Sequence, residues 1–203
     1  MGQGTTEVSR PAIVVLAGPN GAGKTTAAPF VLRDALAVGE YVNADPIAQG
    51  LSAFNPEAVA VAAGRIMLAR MEELARQRAT FGFETTLASR SFAPWLRRRI
   101  EDGYAVHLAF LWLADPEQAV ARVARRVALG GHAVPAEVIR RRYAAGLRNF
   151  FALYKPIVSS WRLYDSGGRR PPKLIARGEG DVIEAADPAV WRSIVRQWSE
   201  SNA

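Results

Sequence analysis

One run restricts this chain more than any other: Gly18-Pro-Asn-Gly-Ala-Gly23-Lys24-Thr25, a complete G-x-x-x-x-G-K-[ST] loop directly after the apolar stretch Ala12–Ala17. Six consecutive apolar residues read as a buried central strand. A helix is expected from about Lys24 to Val38, so the loop sits in the strand–loop–helix context that its chemistry needs. Its glycines let successive backbone N–H groups converge on phosphate oxygens, and the helix N-terminus adds a favourable field. Gly18, Pro19, Asn20, Gly21, Ala22 and Gly23 then form a cradle for a nucleotide. Lys24 would reach the β- and γ-phosphates, the Thr25 hydroxyl would hold Mg²⁺, and Thr26 would lie near the α-phosphate. ATP with Mg²⁺ is the expected cofactor.

From Pro11 to about Ser166, strand-like and helix-like segments alternate, as in a parallel sheet with crossover helices. After β-type Ala12–Ala17 come a short strand Glu40–Asn43, a long helix capped by Asn55 and reaching Arg78, and a strand Thr80–Glu84. Val59, Ala62, Ala63, Ile66, Ala69 and Leu74 are the expected buried stripe of that long helix. A helix Ser91–Glu101, a strong strand Tyr104–Leu113 and a helix opening at Asp115-Pro116 follow. Another helix begins at Pro135 and carries Ile139, Tyr143, Leu147 and Phe150 on one side. Two short strands, Trp161–Tyr164 and Lys173–Ala176, precede a last amphipathic helix capped at Asp187. The expected architecture is α/β with three layers: a central, mostly parallel sheet, helices on both faces and a small helical lid.

Composition narrows the chemistry. The 203 residues contain no cysteine and two histidines, which excludes thiol nucleophiles and Cys-ligated metal and leaves a His-rich centre poorly supported. A formal net charge of +7 favours anionic partners. The longest apolar run, Tyr104–Ala114, is too short to span a bilayer. Met-Gly-Gln-Gly-Thr-Thr has no basic or apolar leader region, and its loose match to a myristoylation pattern reads as a short polar tail. The expectation is a cytoplasmic protein with a flexible tail over 1–10 and a single domain over 11–203, its lid at about 122–142.

Three features bear on what happens to the terminal phosphate. Asp45 in Tyr41-Val-Asn-Ala-Asp45-Pro46 lies just past a strand end, where open parallel sheets gather ligands. A carboxylate there can take a proton from an acceptor hydroxyl; Asp-Pro is equally the start of a capped helix. Phe83-Glu84-Thr85-Thr86 leaves the next strand with groups suited to a hydroxyl-rich acceptor, to the Mg²⁺ shell, or to a helix cap. Asp115 follows the strongest later strand as a Walker-B carboxylate would, but its context favours a cap. Arg122, Arg125, Arg126, Arg140, Arg141 and Arg142 flank the hinge Gly130-Gly131-His132. Two arginine-bearing helices on a glycine hinge suit a lid that closes over a triphosphate, with two or three of the six functional and the rest a solvated face. Arg97-Arg98-Arg99 reads as surface.

Together these segments resemble the zeta-toxin family of P-loop kinases, in its short chromosomal branch. The resemblance rests on Ala17-Gly-Pro-Asn-Gly-Ala-Gly-Lys-Thr-Thr26, Asn43-Ala-Asp45-Pro46, Phe83-Glu-Thr-Thr-Leu87, Arg126-Val, Gly130-Gly-His132, Val134-Pro135 and Arg141-Arg142-Tyr143, which span most of residues 11–165. It implies a P-loop kinase sheet and phosphorylation of the 3′-hydroxyl of the sugar in UDP-N-acetylglucosamine. It further implies Asp45 as catalytic base, Glu84 and Thr86 as sugar-nucleotide contacts, and Arg126 with Arg141 or Arg142 on the ATP phosphates. His132 stands where the family has an arginine. No fused antitoxin segment is expected ahead of the first strand, and a separate antitoxin partner stays open.

The same loop spelling occurs in ABC-transporter ATPases, but a Ser-Gly-Gly-type signature and a strand ending in paired Asp-Glu are both missing. Two other readings remain. One is a kinase of a nucleic-acid end or small metabolite, although nucleic acid is disfavoured because arginines around ATP already explain part of the charge. The other is an ATP-binding regulatory switch without phosphotransfer.

Overall fold

The computed structural model describes residues 10–34, 38–131, 133–168 and 171–200. The expected tail, all but Arg10, and His132 lie outside the described residues.

Strand β1 (Ala12–Ala17) takes the middle of the sheet because it is apolar on both faces. Ile13, Val14, Val15 and Leu16 are completely buried. Ile13 and Val15 enter one core while Val14 and Leu16 enter the other, so the two-residue period of a strand shares one run between two layers. Burial of each such side chain stabilises by about 1.5–3 kcal/mol. The remaining strands are β2 (Glu40–Val42), β3 (Phe81–Thr85), β4 (Ala105–Trp112), β5 (Ser160–Asp165), β6 (Lys173–Glu179) and β7 (Val182–Ala185). Their order is β2-β3-β1-β4-β5-β6-β7. The first five run parallel, and β6 and β7 append antiparallel to β5. The expected three-layer, mostly parallel α/β fold is therefore observed, with β7 as an edge strand that the sequence pattern did not announce.

The helices are α1 (Lys24–Ala28), α2 (Ala44–Leu51), α3 (Ala60–Arg76), α4 (Phe92–Glu101), α5 (Pro116–Ala128), α6 (Ala136–Asn149) and α7 (Pro188–Glu200). Instead of one helix to Val38, α1 passes into a π-helical stretch over Pro29–Asp34. Pro29 has no N–H to donate to the preceding turn, and the wider π turn accommodates that loss. Helix α3 starts four residues later than expected, at Ala60 instead of Pro56. Asn55 Oδ1 accepts from Ala58 N at 3.3 Å, closing a separate turn ahead of the helix. Its buried face is Ala63, Met67, Met71, Leu74 and Ala75, and Ile66, expected inside, is 44% exposed. The two methionines, flexible and polarisable, fill the core in place of the branched residue. Arg97 and Arg98 are exposed as expected, whereas Arg99 is ion-paired with Glu72 and Asp102 at 3.4 and 3.1 Å.

Helix α6 crosses the sheet's C-terminal edge from one core to the other. Ile139 and Tyr143 belong to the layer containing Val14, and Leu147 to the layer containing Ile13, which Phe150 in the π-helical continuation Phe150–Tyr154 also joins. Gly146 permits this crossing, since a Cβ there would lie 2.5 Å from the Thr86 carbonyl oxygen. Asn149 Nδ2 donates to the carbonyls of Leu87 and Ala88 at 2.7 and 3.2 Å, and Tyr154 OH donates to Ser89 O at 2.6 Å. The turn after β3 is thus held from above. Among the described residues no helix is long and apolar enough to cross a membrane.

Candidate active site

At the end of β1 the chain turns through Gly18, Gly21 and Gly23 with φ of 143°, 78° and 81°, a conformation that side chains disfavour. Two of these glycines are also sterically required. A Cβ on Gly18 would collide with the Leu111 carbonyl oxygen, and one on Gly21 would lie 2.8 Å from Ala119 O. Neighbouring elements brace the loop. Arg122 on α5 donates to Gly21 O at 3.4 Å and to Gly167 O at 2.6 Å. The Ser166 hydroxyl, past β5, donates to Ala22 O.

Lys24 opens α1 and is only 8% exposed. Its ammonium donates to the loop carbonyls of Gly18 and Pro19 at 2.9 and 3.1 Å and lies 3.7 Å from Glu84 Oε1. Burial lowers the Lys24 pKa, opposed by the charges of Glu84 and Asp45. Glu84 is a hub. Its Oε2 accepts from Thr25 Oγ1 at 3.2 Å, Tyr41 OH at 2.7 Å and Asn43 Nδ2 at 2.9 Å. Burial and the Glu84 carboxylate together push the Tyr41 phenol far up, so it stays a donor. A buried ammonium whose acceptors are main-chain carbonyls, a glycine-shaped cradle and an exposed Thr25 fit a polyphosphate. The Thr25 hydroxyl and Glu84 carboxylate are hard oxygen donors that fit Mg²⁺. Among the described residues no cluster of three or more His, Asp or Glu could hold a metal alone. That suits Mg²⁺, which is commonly held by one or two protein oxygens together with substrate phosphates.

Beside this centre lies a cavity of about 440 Å³. Asp45 and Gln49 on α2, Glu57, and Arg126, Arg141 and Arg142 from α5 and α6 contribute its polar lining. Alanines and Pro135 supply apolar floor. Arg142 also donates to Asn20 Oδ1 of the phosphate loop at 3.3 Å, so the cavity and the loop share a wall. Asp45 is not the cap of α2. Asn43 is: its Oδ1 accepts from Asp45 N at 2.9 Å, and the Asp45 carboxylate is exposed.

The other candidates go elsewhere. Asp115 caps α5 by accepting from Glu117 N and Gln118 N at 2.7 and 3.0 Å. Arg140 is paired with Glu117 at 2.7 Å, and Arg125 is exposed outside the cavity. Thr85 and Thr86 accept from Leu87 N and Ala88 N at 3.1 and 3.4 Å, which shapes the turn after β3 rather than capping α4. Neither Glu84 nor Thr86 lines the 440 Å³ cavity. Tyr41, Asn43 and Ser166 carry no role in the sequence reading, and Arg122, a candidate lid arginine, instead braces the phosphate loop. For the first two the available signal was a pair of polar side chains flanking Val42 at a strand end.

Comparison with known proteins bears on the family and the fold. The family model described as Zeta toxin matches residues 2–160. An uncharacterized protein of Haemophilus influenzae is 30% identical over 126 residues, 62% of this chain and 88% of its own. Among solved structures, the AvrRxo1-ORF1:AvrRxo1-ORF2 complex, captured with sulphate ions and with ATP, superposes with TM-scores of 0.70 and 0.68 at 18% identity. Those matches cover 91% of this chain, which spans 63% of the length of that protein. The chromosomal PezAT toxin–antitoxin system of Streptococcus pneumoniae matches with a TM-score of 0.62 at 15% identity, over 98% of this chain and 88% of its own. The glycine loop, the parallel core of the sheet and the match over residues 2–160 converge: the chain has the P-loop kinase fold and belongs to the Zeta toxin family.

Proposed function

We propose that the protein is a Mg²⁺-ATP-dependent kinase that transfers the γ-phosphoryl group to a hydroxyl of a sugar nucleotide, with UDP-N-acetylglucosamine the first acceptor to test. One observation carries this reading: Asp45 and three arginines line a single cavity that shares Arg142 with the phosphate loop. Family membership supports it, as does a fold neighbour captured with ATP.

The residues divide the work. Gly18 to Gly23 would bind phosphate oxygens through backbone N–H groups, with Lys24 adding a buried positive charge and Thr26 near the α-phosphate. Bound Mg²⁺ would neutralise phosphate charge, with the Thr25 hydroxyl as its protein ligand. Arg126, Arg141 and Arg142 would stabilise charge that builds on the moving group, worth far more in a site closed to water. As the acceptor oxygen bonds to phosphorus, its proton passes to Asp45, and ADP leaves. Glu84, within β3, and Thr86, just past it, lie outside the 440 Å³ cavity and are proposed as acceptor contacts at its margin. The cavity volume and its mix of apolar floor and charged wall suit an acceptor larger than a free sugar. A separate antitoxin protein is the proposed partner, since PezAT is a toxin–antitoxin system, and the cytoplasm is the proposed location.

The test is to incubate the chain with Mg²⁺-ATP and a panel of UDP-sugars, nucleosides, gluconate-like metabolites and 5′-hydroxyl oligonucleotides. ADP release that depends on UDP-sugars and vanishes in Lys24→Ala supports the proposal. Release dependent on oligonucleotides or metabolites instead would reassign the acceptor, and no acceptor-dependent release from any member would sink the kinase reading.

A further inference from the structure

Asn43 does two jobs with one amide group, and only one of them needs an amide. Its Oδ1 accepts from the Asp45 N–H at 2.9 Å, and its Nδ2 donates to Glu84 Oε2 at 2.9 Å. It is 8% exposed. The parallel register explains the second contact: Val42 pairs with Phe83, so Asn43, just past the end of β2, comes level with Glu84, still within β3. The amide orientation follows from its partners. Flipped, the side chain would set an oxygen against the Glu84 carboxylate and an NH₂ against the Asp45 N–H, two repulsions in place of two bonds. Capping alone could be done by Ser, Thr or Asp. The donor to Glu84 could not.

We propose that Asn43 is a positioning residue that ties the placement of Asp45 to the state of Glu84. The idea rests on the kinase reading above and adds a coupling between its two halves. In the structure Glu84 Oε2 is shared by Thr25, Tyr41 and Asn43, while Oε1 faces Lys24. When Lys24 and Thr25 turn to a polyphosphate, Glu84 keeps Tyr41 and Asn43 as partners, and the amide bond to it strengthens. The same side chain caps the first turn of α2, the turn that carries the cavity-lining Asp45. Nucleotide binding on the β3 side is thereby communicated to the base on the β2 side through one buried side chain.

Two substitutions separate the jobs. Asn43→Ser keeps a good cap but is too short to reach Glu84, whereas Asn43→Ala loses both contacts. Melting temperature should follow the cap: the serine chain close to wild type, the alanine chain lower. Turnover should follow the Glu84 link: kcat falls about 10–100-fold in both variants, with KM for ATP changed by less than about threefold. A serine variant with wild-type kcat would reduce Asn43 to a helix cap and overturn the proposal.

A second arm needs no acceptor and so stands apart from the kinase reading. Amide hydrogen exchange at Asp45 is followed in the nucleotide-free wild type and in Glu84→Gln, with Glu84→Asp as the second variant should the first not fold. Weakening the charge-assisted bond at Nδ2 should speed exchange at the Asp45 N–H by about threefold or more, with the α3 amides unchanged. Unaltered exchange at Asp45 in the folded variant would show that the two ends of the amide are uncoupled. If the wild type phosphorylates nothing in the panel yet this exchange responds, the kinase reading has failed and the coupling has not.

Discussion

Two helical glycines should respond with opposite sign to the same substitution. Gly64 lies in α3, and a Cβ built on it meets nothing within 4 Å. Gly64→Ala therefore removes only the backbone-entropy cost of glycine in a helix and should stabilise by about 1 kcal/mol. Gly146 in α6 receives the same propensity gain, but its new Cβ would sit 2.5 Å from the Thr86 carbonyl oxygen. That contact must open by about 1 Å to reach ordinary van der Waals separation. Backbone opposes backbone there, so α6 moves as a unit. Overpacking of this kind costs about 1–3 kcal/mol. The displacement also strains the Asn149 and Tyr154 hydrogen bonds to residues 87–89, each worth about 1 kcal/mol. After the propensity gain, a net loss of about 2 kcal/mol is expected. For a chain of this size about 2–4 °C of melting temperature accompanies each kcal/mol. Gly64→Ala should then melt about 2–4 °C above wild type and Gly146→Ala about 4–8 °C below. Calorimetric or circular-dichroism melts with matching urea titrations measure both. If Gly146→Ala melts at or above wild type, the close crossing of α6 over the β3 turn is wrong, and with it the support given to residues 86–89.

Asp45→Asn should abolish phosphoryl transfer, lowering kcat by about 10²–10⁴-fold, while calorimetry shows ATP binding unchanged; persistent turnover would remove Asp45 as base. Arg126→Ala, Arg141→Ala and Arg142→Ala should each lower kcat/KM by about 10–10³-fold, whereas Arg125→Ala and Arg140→Ala should stay within about threefold of wild type in the same assay. His107 gives a pH prediction. Burial and the Arg162 charge lower its pKa, and its Nδ1 bonds the Ser160 hydroxyl at 2.8 Å. The folded chain thus holds fewer protons than the unfolded one, so this contribution is present above the unfolded pKa of about 6.5 and is lost as pH falls from there through the folded value. Urea midpoints between pH 8 and 5 should decline on the acid side, and His107→Gln should flatten that decline.

Much of the fold was legible because its signals are local. A six-residue apolar run, a glycine loop with lysine and threonine, and caps at Asp115 and Asp187 each depend on a few neighbouring residues. Helix α6 follows from the spacing of Ile139, Tyr143 and Leu147, with Phe150 in its π-helical continuation, although nothing in that spacing said that the stripe serves two cores. The buried stripe of α3 departs from the expected one because methionine and alanine line it, while Ile66, more apolar by composition, faces outward. The helix after the phosphate loop was overextended because the sequence does not show how a π turn absorbs Pro29.

From the amino-acid order alone came the strand, the phosphate loop and the residue types that bear charge. Backbone geometry and hydrogen bonding over three or four positions decide those features wherever the segment sits. Only the packed chain decided which carboxylate meets which donor. Glu84 finds Thr25, Tyr41 and Asn43 because parallel pairing sets β3 between β1 and β2, at separations of 59, 43 and 41 residues. The arginines divide into cavity wall, loop brace and surface pair because α5 and α6 fold over the sheet's edge. Such partnerships depend on strand order and helix crossing, which are properties of the whole core and are written in no short stretch of it.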